Sequence, residues 1–443
     1  MDALTLLGAC MVLGLLGIGG ATLVSFALGM RAAGQGRADL ATAKASGALP
    51  PSLHPVVDEA RCIGSGTCVR ACPETDVLAV FDGKAHVVNP TSCIGHGECL
   101  RACPVDAITL VLGSAKRGVD IPMVAGNFET NVPGLYVVGE LGGMGLIYNA
   151  MTQGLQCMAD LVKGAPPAVD GVHQVLIVGA GPAGIAASLA AKEAGLDYVT
   201  VDQEAPGGTV LQFPRHKIVM TKPVKLPLYG AMRVTEVRKE ALLETWMDIL
   251  DKTGLEVRSG VKVESVEKGE DGVFTVGTNQ GELRASRVVL AMGRRGSPRK
   301  LGVPGEDKAK VTYRLVDPEF YQGKRVLVVG GGDSAVEAAV ALGDHGADIQ
   351  LSYRKGSFGR IKKKNQAKLE AAVEKGEVTL LLQTQVGEIR DDEVTLKGAD
   401  GEVVVPNDYV LVFAGGVLPT KFLRAAGVQV ETYRGEAYAP ANA

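Results

Sequence analysis

The longest apolar run opens the chain. No charged residue interrupts Ala3 to Met30, a stretch rich in Leu, Val, Ala and Gly. A helix needs ~20 such residues to cross a bilayer core, so the pattern predicts a transmembrane anchor over residues 1–30. A cleaved signal peptide would carry a basic n-region, whereas only Asp2 precedes the run. Arg31, Arg37 and Lys44 follow it and no Lys or Arg precedes it, which by the positive-inside bias leaves the bulk of the chain in the cytoplasm. The expectation is a single-pass membrane protein with a cytoplasmic catalytic part. Residues 31–55, with Pro50-Pro51 near their end, read as a short linker.

Later apolar runs are short and alternate with Ala-rich stretches. Val175-Leu-Ile-Val leads into Gly179-Ala-Gly181-Pro-Ala-Gly184, a helical stretch continues to Gly195, and Tyr198-Val-Thr-Val ends at Asp202. Strand, G-x-G-x-x-G, helix, strand and acid form the dinucleotide-binding pattern: the helix N-terminus faces a pyrophosphate and the acid a ribose hydroxyl. Val326-Leu-Val-Val repeats the pattern through Gly330, Gly332 and Ala335. Its second strand, ending at Tyr353, carries no acid and runs on into Arg354, Lys355 and Arg360. Cations there suit the 2′-phosphate of NADP, which an acid would repel. The bland alternative is a solvated basic loop, since Lys362, Lys363 and Lys364 follow. The pattern thus predicts an α/β protein with two Rossmann-like domains, residues 172–295 and 296–435.

Composition agrees. Of 443 residues 58 are glycine, well above the usual ~7%, and much of it falls where backbone must turn sharply or approach a ligand. The net charge of −3 and the lack of a basic block exclude a nucleic-acid partner. Cysteine changes the picture more. Six of the eight lie between Cys62 and Cys103, and none follows Cys157, which suits a metal cluster better than a disulfide framework.

Those six fall in two near copies. Cys62-Ile-Gly-Ser65-Gly-Thr-Cys68-Val-Arg-Ala-Cys72-Pro matches Cys93-Ile-Gly-His96-Gly-Glu-Cys99-Leu-Arg-Ala-Cys103-Pro. Residues 56–112 resemble the bacterial two-cluster ferredoxins, an α+β domain whose C-x2-C-x2-C-x3-C-P repeats each lend their fourth cysteine to the other cluster. The resemblance implies one site of Cys62, Ser65, Cys68 and Cys103 and another of Cys93, His96, Cys99 and Cys72. Serine and histidine stand where the second cysteine belongs. Either they ligate, histidine raising the potential, or each site holds a three-iron cluster with a vacant corner. A metal-free domain and a structural zinc are the remaining alternatives, although zinc ligands usually pair at two to four residues.

The tandem nucleotide domains resemble the thioredoxin-reductase-like flavoproteins, in which FAD occupies the first domain and NADP the second. The segments Val288-Val-Leu-Ala-Met-Gly293, Leu301-Gly-Val-Pro-Gly305-Glu and Val410-Leu-Val-Phe-Ala-Gly415 look like that family's returning elements. Its FAD-binding tail is expected after them and is not found there. A matching segment lies earlier: Thr130-Asn-Val-Pro-Gly134-Leu-Tyr-Val-Val-Gly139-Glu140, then a helix with Asn149 and Gln153. Glu140 departs from the family's Asp. The flavin domain therefore reads as circularly permuted, with residues 113–165 as its displaced tail, which is tolerated where termini meet at the surface.

Thioredoxin reductases work through a C-x-x-C pair that this NADP domain lacks. Bacillithiol disulfide reductases, which this half also resembles, carry a cysteine in the first glycine loop, where Ala183 stands here. The remaining resemblance, to ferredoxin–NADP reductases of this fold, implies FAD, NADP(H) and two iron–sulfur clusters in an NADPH-linked oxidoreductase. An external, membrane-associated one-electron partner and a homodimer are expected with it. No catalytic acid or base stands out, and His173 and His216 read as structural. Two rivals are a flavin-dependent reductase of a small disulfide or quinone with structural clusters, and a redox sensor or scaffold.

Overall fold

The computed structural model describes residues 3–48, 50, 53–115, 118–143, 145–294, 297–359, 361–399 and 401–438; the side chains of residues 3–23, 25 and 297 are outside that description. Two compact units divide the chain, Met1–Val111 and Leu112–Ala443.

In the first unit helix α1 (Ala3–Ser46) is 44 residues long. Strand β1 (Leu53–Val57), helix α2 (Thr67–Ala71), the antiparallel hairpin β2 (Leu78–Phe81) and β3 (Lys84–Val87), helix α3 (Glu98–Arg101) and strand β4 (Ile108–Leu112) follow, with β4 beside β1. Helix α1 crosses the expected border between anchor and linker without a break, because Ala, Leu, Gln and Arg favour helix through 31–46. There it docks on the hairpin. At Gly36 a Cβ would lie 2.9 Å from the Ala79 Cβ, and Arg37 pairs with Asp82 at 2.5 Å.

The membrane expectation is corrected here. Among the described residues no helix is long and apolar enough to cross a membrane. The described part of α1 carries Arg31, Arg37, Asp39 and Lys44 and rests on its own unit, and the anchor side chains up to residue 23 lie outside the described residues. The single-pass anchor at 1–30, the membrane location and the orientation inferred from it fall together.

The second unit holds two parallel sheets. Its first part comprises β5 (Val119–Pro122), β6 (Leu135–Val137), α4 (Ile147–Lys163), β7 (Val175–Val178), α5 (Pro182–Glu193), β8 (Tyr198–Asp202), β9 (Arg258–Ser259) and β10 (Val288–Leu290). These strands form a sheet in the order β9-β8-β7-β10-β6. The second part comprises β11 (Val311–Thr312), β12 (Arg325–Val329), α6 (Asp333–Asp344), β13 (Asp348–Tyr353), α7 (Lys363–Glu374), β14 (Val378–Leu382), β15 (Tyr409–Val412), α8 (Thr420–Ala425) and β16 (Val430–Tyr433). Its sheet runs β11-β15-β12-β13-β14. Parallel strands covered on both faces need near-continuous apolar sequence. The runs at 175–178, 288–290 and 326–329 supply it, all being buried.

Two placements matter for function. Strand β6, laid down before β7, completes the first sheet by pairing with β10, Leu135 opposite Val288. Strand β16 pairs antiparallel with β5, with Val430 opposite Pro122 and Tyr433 opposite Val119. The end of β16 therefore faces the start of β5, a tight turn's reach away.

Candidate functional site

The three glycines of the first loop act differently. Gly179 has φ +108, and a Cβ on it would lie 2.6 Å from the Ala291 carbonyl oxygen. A Cβ on Gly184 would meet the Gly179 carbonyl oxygen at 1.7 Å, so this glycine lets α5 close on β7. Gly181 is extended, and the nearest atom to its Cβ position is the Gly208 Cα at 3.7 Å. Its bare backbone lies before the N-terminus of α5, where a phosphate group can approach the N–H groups. Asp202 braces this loop: its carboxylate accepts the Ala180 N–H at 2.6 Å and the Glu204 N–H at 2.8 Å. Burial pushes its pKa up, opposed by those two amides. A carboxylate has about four acceptor sites, so it retains capacity for a ribose hydroxyl.

The early segment reaches the same loop. Gly139, at φ +77, donates its N–H to the Gln153 Oε1 at 2.8 Å. Gly154 brings α4 against α5, since a Cβ there would lie 2.3 Å from the Ala183 carbonyl oxygen. Glu140 lies in the short 3-10 turn Gly139–Gly142 and Asn149 is half-buried in the first turn of α4. The structure thus gathers Gly139, Glu140 and Gln153 beside Gly179–Gly184, and this cradle fits a flavin dinucleotide.

In the second loop Gly330 has φ +150, and its Cβ position lies 2.5 Å from the Phe413 carbonyl oxygen and 3.0 Å from the Ala335 Cβ. Gly332 faces open space. Two features escaped the sequence reading. The Tyr353 ring covers Gly331, where a Cβ would come within 2.0 Å of it, and stacks on Phe358 at 5.1 Å. Asp333 accepts the Lys362 N–H at 2.8 Å and an Asn365 side-chain N–H at 2.6 Å, tying the basic segment to the glycine loop. Asn365 also reaches Glu337, which accepts from Lys217 at 3.0 Å. An acid directly after the glycines was the available signal. Arg354 and Lys355 are exposed, as a phosphate site needs, and Arg360 lies outside the described residues.

In the first unit Cys62, Ser65, Cys68 and Cys103 line one small pocket. The Cys62 sulfur accepts the Ala85 N–H at 3.4 Å and the Cys103 sulfur the Ala107 N–H at 3.2 Å. Cys72 interacts electrostatically with Cys93 and Cys99, and its sulfur lies 4.0 Å from the His96 Nε2. Burial pushes the Cys72 thiol up to about 11 and Cys99 up to about 12, so thiolates there call for a cationic centre. Among the described residues no three His, Cys, Asp or Glu converge on a point that would hold one metal ion. Thiols spread around a cavity fit a cluster instead. Cys157 is fully buried, and burial raises its pKa far above the usual thiol range, so it is packing. His173 pairs with Asp197 at 3.1 Å, and His216 is exposed.

Residues 176–442 match the family described as Pyridine nucleotide-disulphide oxidoreductase, and residues 54–104 match a 4Fe-4S dicluster domain. The bacilliredoxin reductase Bdr of Bacillus subtilis (strain 168) is 26% identical over 271 residues, 60% of this chain and 84% of that protein. A ferredoxin–NADP reductase of Ignicoccus hospitalis is 29% identical over 268 residues, 58% of this chain and 82% of that protein. The solved bacillithiol disulfide reductase Bdr from Staphylococcus aureus shares the fold, with a TM-score of 0.50 at 24% identity over 58% of this chain and 80% of its own. With its glycine loops, its two sheets and the match over 176–442, the chain belongs to the pyridine nucleotide-disulphide oxidoreductase family, as an oxidoreductase that uses FAD and NADP(H) and carries a 4Fe-4S dicluster domain.

Proposed function

We propose that the protein passes electrons between NADP(H), FAD and its own iron–sulfur clusters, and exchanges them singly with an external partner. One observation carries this reading: two nucleotide loops and two groups of cysteines, all but Cys103 buried, share a chain whose nucleotide domains contain no thiol after Cys157. Flavin accepts electrons in pairs as hydride and releases them singly. The chain's residues supply position. Gly179, Gly181, Gly184 and Asp202 would hold the dinucleotide of FAD, and Gly139, Glu140, Asn149 and Gln153 would complete its site. Gly330, Gly332 and Ala335 take the pyrophosphate of NADP, and Arg354, Lys355 and Arg360 take its 2′-phosphate. The ferredoxin–NADP reductase among the relatives supports a one-electron partner. The bacilliredoxin reductase does not carry the disulfide chemistry over, because Ala183, buried at the start of α5, offers no thiol in the loop.

A variant with Cys62→Ser, Cys68→Ser, Cys93→Ser and Cys99→Ser should retain flavin and NADPH oxidation by oxygen. It should lose most of its NADPH-dependent reduction of a one-electron carrier such as cytochrome c. Unchanged carrier reduction would move the function to the flavin alone and make the clusters structural.

The displaced tail belongs to the same proposal. On this reading a family-order chain would be continuous across the facing ends of β16 and β5, which the antiparallel pairing of Tyr433 with Val119 brings together. A chain rearranged to run 166–434, a short turn, then 118–165 should fold and bind FAD with the parent's affinity. A folded product without flavin would contradict the permutation.

A further inference from the structure

Between β8 and the helix Lys239–Thr253 the chain builds an arm that the nucleotide sites do not use. The strand Ile218–Met220 pairs antiparallel with Glu236–Arg238, and Val224–Leu226 with Gly230–Met232. The Thr221 N–H donates to the Thr235 carbonyl in the same register, so residues 218–238 form a single hairpin. At about 3.3 Å per residue its arms are roughly 30 Å long. The inner face is fixed, with Val219, Val224, Leu226 and Met232 buried in one core with Leu242 and Trp246. The tip is fixed as well: the Tyr229 hydroxyl donates to Asp248 at 2.9 Å, and Asp248 also pairs with Lys252.

The outer face is apolar and basic. Ile218, Met220 and Leu228 are 60%, 62% and 50% exposed. From 213 to 238 six lysines and arginines stand against one carboxylate, Glu236, in a chain whose net charge is −3. Arg215 and Lys217 pair with Asp317 and Glu337. Lys222, Lys225, Arg233 and Arg238 are exposed, with Arg238 directly opposite Ile218. Leu228 sits at the apex with φ +60, where the Tyr229 N–H closes a three-residue turn on the Pro227 carbonyl at 2.7 Å. A bulky side chain rarely adopts that conformation, which glycine takes freely. A leucine held there and half exposed is placed to touch something outside the chain.

The chemistry selects the kind of partner. Cations spread along such an arm exceed the reach of a small anion, and the aliphatic side chains among them do not stack on nucleic-acid bases. A protein surface with acidic residues around an apolar centre matches both features. We propose that the outer face of the hairpin 218–238 docks an acidic protein, with Ile218, Met220 and Leu228 as apolar anchors and Lys225, Arg233 and Arg238 steering the approach. On the function proposed above, that protein is the external one-electron partner.

The test measures binding of an acidic flavodoxin to the full chain by calorimetry at low ionic strength, with basic cytochrome c as the control. Joint Lys225→Glu, Arg233→Glu and Arg238→Glu should weaken flavodoxin on the order of 100-fold. Flavin content and NADPH oxidation by oxygen should stay at the parent's level, and cytochrome c should bind no more weakly. Leu228→Gly should melt no lower than the parent, because glycine suits the turn, yet bind flavodoxin roughly 10-fold more weakly. Equal flavodoxin affinity in the parent and the triple variant would overturn the proposal, as would a parent that does not bind flavodoxin. A parent that binds phosphatidylserine vesicles and not flavodoxin would give the face to a lipid surface and overturn it too. Charge-sensitive binding with no electron transfer from NADPH to the bound flavodoxin would uphold the docking surface and remove the electron exchange on which its partner's role rests.

Discussion

Gly184→Ala should purify with little or no flavin and reduced thermal stability, while Gly181→Ala should lose flavin affinity with the stability of the flavin-free protein unchanged. The two glycines differ in what surrounds them. The Cβ of an alanine at 184 would sit 1.7 Å from the Gly179 carbonyl oxygen, and no flexible side chain is there to yield. Overpacking of this kind costs ~1–3 kcal/mol and sometimes more. The relief available is a shift of the loop that positions the N-terminus of α5. At 181 the backbone is extended and a Cβ would make only ordinary van der Waals contact, 3.7 Å from the Gly208 Cα. An alanine there strains nothing in the protein but adds a methyl group where a phosphate would approach. Absorbance of bound flavin and melting of the two apoproteins separate the cases. Full flavin retention by Gly181→Ala would move the pyrophosphate away from this loop.

Arg354→Ala should weaken NADPH while sparing NADH. Arg354 lies one residue beyond β13 and is exposed, and the far end of its segment, at the start of α7, is tied to Asp333, which accepts from the Lys362 N–H and the Asn365 side chain. The arginine therefore works from an anchored loop and not from a free one. A charge-assisted contact contributes ~1.5–3 kcal/mol, which is roughly 10- to 150-fold in affinity. Steady-state kcat/KM for the two nucleotides measures it. Equal loss for both would give the basic segment a different role.

Both nucleotide domains were legible in the sequence because their signals are local and their physics is strict. The apolar runs at 175–178 and 326–329 are buried parallel strands, and each glycine loop follows its strand directly. Motif order singled out the segment around Gly139 as a displaced tail, and its strand β6 pairs Leu135 with Val288 of β10. Spacing pointed to two cysteine groups, and Cys62, Cys68 and Cys103 of the first line a common pocket with Ser65. What failed was the meaning of the apolar N-terminus. Hydropathy does not register that Gly36 allows a close approach to Ala79, or that Arg37 finds Asp82 across 45 positions of sequence. Tyr353 over Gly331 and the Asp333–Asn365 tie were likewise invisible, because each depends on which loops the sheet brings together.

The central claim is that electrons from NADPH reach the clusters through this one chain. Anaerobic stopped-flow mixing of the full chain with NADPH, followed in the flavin and cluster absorption bands and by freeze-quench electron paramagnetic resonance, tests it most directly. The account predicts that the flavin bleaches first and the clusters then become reduced within the same turnover, with no other protein present. Complete flavin reduction with the clusters left oxidised would contradict it.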